Sequence, residues 1–245
     1  MDLSERAGGS RRHPWERARA RFFVDRIAQA PAVGGAVRIL DVGAGDAYLA
    51  EVLLARLPDA QVVCWDAAYS DDDLARLGNA RLTAVRERPA GVFDVLLLLD
   101  VLEHVDDDLG LLRETLPLLR PGGVVLVSVP AWPVLFSRHD EQLRHLRRYT
   151  PATLLELLRR AGVDILGAGG LFASLVLPRL ATVLWERVRP GTGVTGVGAW
   201  QGGDLVTSLV EAGLRADAGL GRRLAQVGLS LPGLSCWAIG RWGAS

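Results

Sequence analysis

Cysteine is nearly absent: only Cys64 and Cys236 occur in 245 residues. Each sits inside an apolar run that reads as a strand, so both are expected as buried small hydrophobic residues, and a disulfide framework is excluded. That usage suits a reducing cytoplasm, the expected location. Net charge is missing as well. Lys plus Arg and Asp plus Glu both number 28, so the whole chain lacks the basic field that a nucleic-acid partner requires. Long hydrophobic runs are missing too. The most apolar late stretch, Leu171 to Trp185, is broken by Pro178 and Arg179 and falls short of the roughly 20 residues that span a bilayer. Met1 to Arg12 is polar and lacks the apolar stretch of about 7–15 residues of a secretory signal, so no export is expected. No internal repeat or low-complexity tract stands out.

What is present is an ordinary globular composition, 49% hydrophobic and 23% charged, enough for one full core over residues 1–245. Trp15, Ala18, Phe22, Val24 and Ile27 recur at helical spacing between Pro14 and Gln29, which predicts an N-terminal helix closed by Pro31, Gly34 and Gly35. Strands are predicted at Ala36–Val42, Ala60–Trp65, Ala80–Val85, Val92–Leu99 and Gly123–Val129, with a helix over Ala47–Leu57 after the first. Asp106 to Asp108 can cap a helix that ends before Pro121, and Thr150-Pro151 opens another stopped by Gly162. Strands alternating with helices imply an α/β, doubly wound, mainly parallel sheet. Beyond a strand at Val163–Leu166, Gly170–Pro232 reads as a helical insertion near the site, with Pro190–Gly203 a flexible loop, before a last strand at Leu234–Trp242.

Asp41-Val42-Gly43-Ala44-Gly45-Asp46-Ala47 leaves a strand and enters a helix, where missing side chains let a ligand approach the backbone. Asp66 ends the second strand, where a carboxylate can take both hydroxyls of a ribose. Together they predict an adenosine-containing ligand. A nicotinamide dinucleotide would want glycine at Tyr48 so that the helix N-terminus can face a pyrophosphate, so an NAD-dependent oxidoreductase is the weaker alternative. A non-catalytic module that binds the ligand or dimerises is the other.

Ile39–Ala50, Val62–Asp66, Phe93-Asp94-Val95 through Asp100-Val101-Leu102-Glu103-His104-Val105, and Leu119-Arg120-Pro121-Gly122-Gly123 resemble the successive motifs of class I S-adenosylmethionine-dependent methyltransferases. The resemblance implies a Rossmann-like seven-stranded sheet of order 3-2-1-4-5-7-6, with the cofactor S-adenosylmethionine over the carboxyl ends of the central strands. It places Asp41, Gly43, Ala44 and Gly45 around the methionine moiety, Asp66 on the ribose, Ala67 and Arg86 beside the adenine, and Asp100 with Val101 beneath the sulfonium. Ala47 departs from the pattern where many members carry a third glycine, and the usual acidic residue before Val92 is missing. Ser137 to Tyr149 also resembles a bacterial type 11/12 small-molecule subgroup with a His-Asp pair followed by Gly-His-x-Arg-Arg-Tyr, except that Arg144 holds the glycine position. In that likeness the helix over residues 13–30 folds over the cofactor as a lid.

After the fifth strand, Trp132 to Thr150 gathers two histidines, two carboxylates, a tyrosine and several arginines at the sheet end where ligands sit. Methyl transfer needs the acceptor held in line, and a base only if the acceptor carries a proton. His139 or His145 is the candidate base, with Asp140 able to orient one imidazole and Tyr149 in the same catalytic group. Trp15, His104, Trp132, Arg138 and Arg148 are the candidate substrate contacts, the acceptor being a small molecule methylated on O, N or C and either anionic or apolar. Arg138, Arg144, Arg147 and Arg148 could hold a carboxylate or phosphate, or Arg144, Arg147 and Arg148 form a solvated face. Glu103 and His104 have a plain reading as buried or capping groups. His139, Asp140, Glu141 and His145 match no familiar metal spacing, so no metal is predicted. The apolar stretch 171–189, with Trp185, Arg187 and Arg189 at its end, reads as a pocket cap or as peripheral contact with lipid; a homodimer is the other use for it.

Overall fold

The structure is a computed structural model that describes residues 12–30, 32, 33, 35–189, 200, 202–226 and 231–243. The polar segment Met1–Arg12, save Arg12 itself, and most of the expected loop Pro190–Gly203 lie outside the described residues.

Three runs of almost unbroken apolar residues make the centre: β1 (Arg38–Val42), β4 (Phe93–Leu99) and β5 (Leu119–Pro130). Such runs suit parallel strands covered on both faces. Leu97 and Leu99 of β4 face one core, and Leu96 and Leu98 face the other, the alternation that a pleated strand imposes. With β2 (Gln61–Trp65), β3 (Leu82–Val85), β6 (Val163–Leu171) and β7 (Ser235–Trp242) the sheet has the expected order, β3-β2-β1-β4-β5-β7-β6. Only β7 runs antiparallel to its neighbours. The chain winds outward in both directions from β1 and β4, which opens a crevice at their carboxyl ends.

One face is covered by α1 (Pro14–Ala28), α2 (Tyr48–Arg56) and α8 (Asp204–Gln226), the other by α4 (Asp108–Thr115) and α6 (Pro151–Arg160). The helix starts follow their caps. His13 Nδ1 accepts the Trp15 N–H at 3.1 Å ahead of Pro14, Asp107 accepts from Gly110 at 2.7 Å, and Thr150 accepts from Thr153 at 3.1 Å. Each satisfies a donor that the first helical turn leaves open. A short helix unannounced by the sequence, α3 (Asp71–Leu77), is closed by a Ser70–Asp73 capping box. Both cysteines are free and buried.

Two boundaries differ from expectation. β5 begins at Leu119, not Gly123, because Pro121-Gly122-Gly123 forms an irregularity inside the strand, with the register shifting between Phe93 and Val95. β6 runs on to Leu171, so the insertion starts after the strand. Gly167 to Gly170 has poor strand propensity, yet the missing side chains are what the pairing needs. A Cβ on Gly169 would lie 3.2 Å from the Trp237 ring, and one on Gly170 would meet the Gly233 backbone at 2.4 Å.

α7 (Val176–Val188) turns Leu177, Leu184, Trp185 and Val188 to solvent while Val183 is buried. Among the described residues no helix is long and apolar enough to cross a membrane.

Asp41 closes β1 with only 3% exposure, and burial pushes its carboxyl up to about 7, with Arg19 opposing. Its value in an unfolded chain is about 3.9. Between these values the native state holds a proton that the unfolded state has lost, so stability falls as pH rises through that window. Thermal melts of the ligand-free protein from pH 5 to pH 8, about a unit outside that window's upper edge, should therefore show Asp41→Asn gaining on wild type. A difference in Tm that ignores pH would overturn this account.

Candidate active site

The loop after β1 is shaped by two residues in the left-handed region, Gly43 (φ 66°) and Gly45 (φ 55°). At Gly43 a Cβ would stand 2.7 Å from Val101 Cγ2, so only glycine lets β1 and the turn after β4 approach. Ala47 enters α2 in the same region (φ 61°) without that freedom. The Gly45 N–H donates to Asp66 Oδ2 and the Ala68 N–H to Oδ1, both at 2.9 Å. Backbone donors thus aim the Asp66 carboxylate and leave its other lone pairs for a ligand.

Above the carboxyl ends of β1, β4 and β5 lies a cavity of about 880 Å³. Gly43, Asp66, Asp100 and Val101 line one side, as expected for cofactor contacts. Asp41, Ala44 and Gly45, also expected as contacts, are buried and do not line it. Ala67 and Arg86 are not brought in either. Ala67 is exposed beside the cavity and Ala68 lines it instead. Arg86 sits outside the lining, paired with Asp71 at 2.6 Å, because the first turn of α3 presents it with acidic side chains.

On the other side His139, His145 and Arg148 line the cavity, together with Trp15 and His104. Asp140, fully buried, settles which histidine it orients. Its Oδ1 lies 3.0 Å from His145 Nδ1 and accepts from Arg148 Nε at 2.7 Å. Its Oδ2 accepts from the Ser137 N–H at 3.0 Å and from Arg179 at 3.2 Å. Burial alone would raise this carboxyl, but the bonds from His145 and Arg148 outweigh it and hold the group well below the usual range. His139 makes no bond to Asp140, and burial, then Arg179, lower its pKa.

Three expected residues stay outside. The Tyr149 hydroxyl donates to Asp108 at 2.8 Å, with the Leu102 carbonyl at 3.1 Å, and braces the turn after β4 rather than reaching the cavity. The Trp132 indole N–H is spent on the Gly233 carbonyl at 2.8 Å. Arg138 is exposed on α5 (Arg138–Gln142) and does not line the cavity.

Sequence reasoning missed Arg19 and Arg179, and understated Glu103. Arg19, 6% exposed, lines the cavity with Nη2 2.7 Å from Asp100 Oδ2. An arginine one turn after Trp15, on the apolar face of α1, was the available signal. Asp100 itself holds φ 60°, a strain found at sites that need a fixed geometry. Glu103 has no exposure, and neither of its carboxylate oxygens meets a donor among the described residues. Burial, then the charge of Asp100, push its carboxyl up. Glu103, His104 and His145 bring three ligand atoms within 4.8 Å of one another, a set that could hold a metal ion. This is a different group from the one weighed on spacing.

The cavity fits the cofactor that the resemblance implies. A buried guanidinium, Arg19, suits its carboxylate, and the aimed oxygens of Asp66 suit its ribose. A dinucleotide fits less well: at the start of α2 the Tyr48 ring lies under the Arg12 guanidinium, 3.8 Å from the centroid, and Arg12 also pairs with Asp46.

Among curated proteins, the chain is 34% identical over 151 residues to a ubiquinone biosynthesis O-methyltransferase of Ruegeria pomeroyi, covering 52% of this chain and 60% of the relative. The chain thus spans less than two thirds of the length of such relatives. The N-methyltransferase NodS of Bradyrhizobium japonicum WM9, solved with S-adenosyl-L-homocysteine, superposes with a TM-score of 0.56 at 14% identity, covering 98% of this chain and 95% of NodS. The cyclase SpnF reaches 0.56 at 21% identity, covering 98% and 86%. Likenesses at such identity concern the fold alone, and the presence of a cyclase among them is a reminder that fold does not name chemistry. The family model described as a methyltransferase domain matches residues 9–167, the stretch that carries the glycine loop, Asp66, Asp100 and the His145–Asp140 pair, and the chain belongs to that family.

Proposed function

We propose that this protein transfers a methyl group from S-adenosylmethionine to a hydroxyl oxygen of a small acceptor, with His145 as general base. The observation that carries the reading is the 3.0 Å pairing of His145 Nδ1 with the buried Asp140 carboxylate, in the cavity that Gly43, Asp66 and Asp100 also line. The O-methyltransferase name of the curated relatives supports oxygen as the receiving atom.

Bound S-adenosylmethionine supplies a methyl group on a sulfonium, open to in-line displacement. Asp66 would hold its ribose, the Gly43 loop its methionine portion and Arg19 its carboxylate. Asp140 takes the Nδ1 proton of His145 as a hydrogen bond, which leaves Nε2 bare. That nitrogen removes the hydroxyl proton as the acceptor oxygen becomes the nucleophile, and Asp140 steadies the resulting imidazolium. His139, neutral and without a carboxylate partner, lends a hydrogen bond. α1 acts as a lid and the α7–α8 segment as a cap, since Trp15 and Arg19 of α1, Arg179 of α7 and Val210 and Leu214 of α8 line the cavity. The two free cysteines suit action in the cytoplasm. A second reading, favoured by the unpartnered oxygens of Glu103, is that Glu103, His104 and His145 would hold a divalent ion, which would supply Lewis-acid activation of an acceptor hydroxyl.

The outward stripe of α7 is assigned to an anionic lipid surface, because Trp185, Arg187 and Arg189 follow the exposed Leu177 and Leu184, the order of an interfacial helix.

Calorimetric titration should give micromolar S-adenosylhomocysteine binding that Asp66→Ala weakens at least about tenfold, roughly 1.4 kcal/mol; absent binding, or preference for NAD, would sink the assignment. His145→Gln should keep that affinity yet lower kcat about 10²–10⁴-fold. A His139→Gln loss of equal size would move the base. A rate that survives EDTA is expected; one abolished by EDTA and restored by Mg²⁺ or Zn²⁺ would replace the base with the ion. For the surface of α7, wild type should co-sediment with phosphatidylglycerol vesicles and a Leu177→Asp/Trp185→Asp variant should stay in the supernatant. Failure of wild type to sediment, with mass doubling at high concentration, would give that face to a second copy.

A further inference from the structure

We infer that Arg144 selects an acceptor bearing a carboxylate, its guanidinium taking that group while the acceptor hydroxyl meets His145. The inference rests on the methyl-transfer reading and names its substrate class.

Most arginines around the acceptor side are already committed. Arg148 is bonded to Asp140 at 2.7 Å and to the Ala131 carbonyl at 2.9 Å. Arg179 is bonded to Ser137 Oγ at 2.6 Å and to Asp140. Arg147 is turned toward Asp108 and the carbonyls of Val105 and Asp106. Arg144 lines the cavity next to His145, and its guanidinium has no carboxylate or carbonyl partner among the described residues. Three guanidiniums on this side stand against two carboxyls, Asp140 and Glu103, and burial pushes Glu103 toward its neutral form, so the acceptor side holds an excess of positive charge.

The backbone gives a second, independent sign. Arg144 follows the end of α5 with φ 57°, the position and conformation where a helix usually stops on glycine. A side chain there strains the backbone. An exposed arginine without a partner returns nothing to stability, so the fold alone does not account for its presence. Strain of this kind gathers at ligand-binding positions. One guanidinium fork matches the two oxygens and single charge of one carboxylate; a phosphate dianion would ask for a second.

The test uses caffeate, a phenol with a carboxylate, and its neutral methyl ester, titrated into the protein loaded with S-adenosylhomocysteine. Wild type should prefer caffeate about tenfold or more, and Arg144→Gln and Arg144→Gly should bring the ratio near one. Arg144→Gly relieves the strained backbone, so its Tm should match wild type or exceed it by up to about 2–4 °C, which separates lost recognition from lost folding. No preference in wild type, no binding of either probe, or a preference that survives Arg144→Gln would overturn the inference. Because S-adenosylhomocysteine is loaded first, its failure to bind would mark the methyl-transfer reading as the part at fault. Displacement of caffeate by millimolar inorganic phosphate but not by benzoate would overturn the choice of carboxylate.

Discussion

The buried charge of Asp140 holds the acceptor half of the cavity together. Its two oxygens gather a backbone N–H from Ser137, the imidazole of His145, the guanidinium of Arg148 and, from α7, that of Arg179. Carrying a carboxylate out of water is costly, and only this many donors make the ionised form the stable one. Removing a partner from such a site typically costs about 3–5 kcal/mol because a bare charge stays behind. The orientation of His145, the path of the loop between β5 and α6 and the seating of α7 over the cavity therefore depend on the same two oxygens.

The parallel sheet was legible because its central strands are apolar on both faces and its first turn needs glycine; the order of its seven strands came from the resemblance to the methyltransferase motifs. β6 was read too short because Gly167 to Gly170 has strand character only against the Trp237 ring, a partner far away in sequence. Asp66 was legible from its distance to the glycine loop. Choosing between His139 and His145 was not. His139 precedes Asp140 on the same helical turn and cannot fold back onto it, whereas the chain reverses at Arg144 and returns His145 to the carboxylate. That reversal is a backbone event with no apolar pattern to announce it.

Charged residues were the hardest to place. Arg148 was expected on the ligand and is spent on Asp140, Tyr149 was expected in the chemistry and braces Asp108, and Arg179 was read only as a break in an apolar stretch. Each long polar side chain can reach several partners, so its role depends on which elements dock nearby. Arg19 shows the opposite case. It lies on the buried face of α1, where a charge is uncommon enough to be a signal in its own right.

Glu211 of α8, 5% exposed, holds both Arg17 and Arg21 of α1 at 3.0 and 2.9 Å. A helix from early in the chain is thereby fastened by one made much later, with six of the seven strands in between. During synthesis the glycine loop and Asp66 can form as soon as β1 and β2 pair, but the cavity over them stays open until α8 has left the ribosome and docked. Ligand affinity in this protein is thus also a record of completed folding: a nascent chain that ends before α8 would keep the parallel strands β1 to β5 with the glycine loop and lose the enclosure.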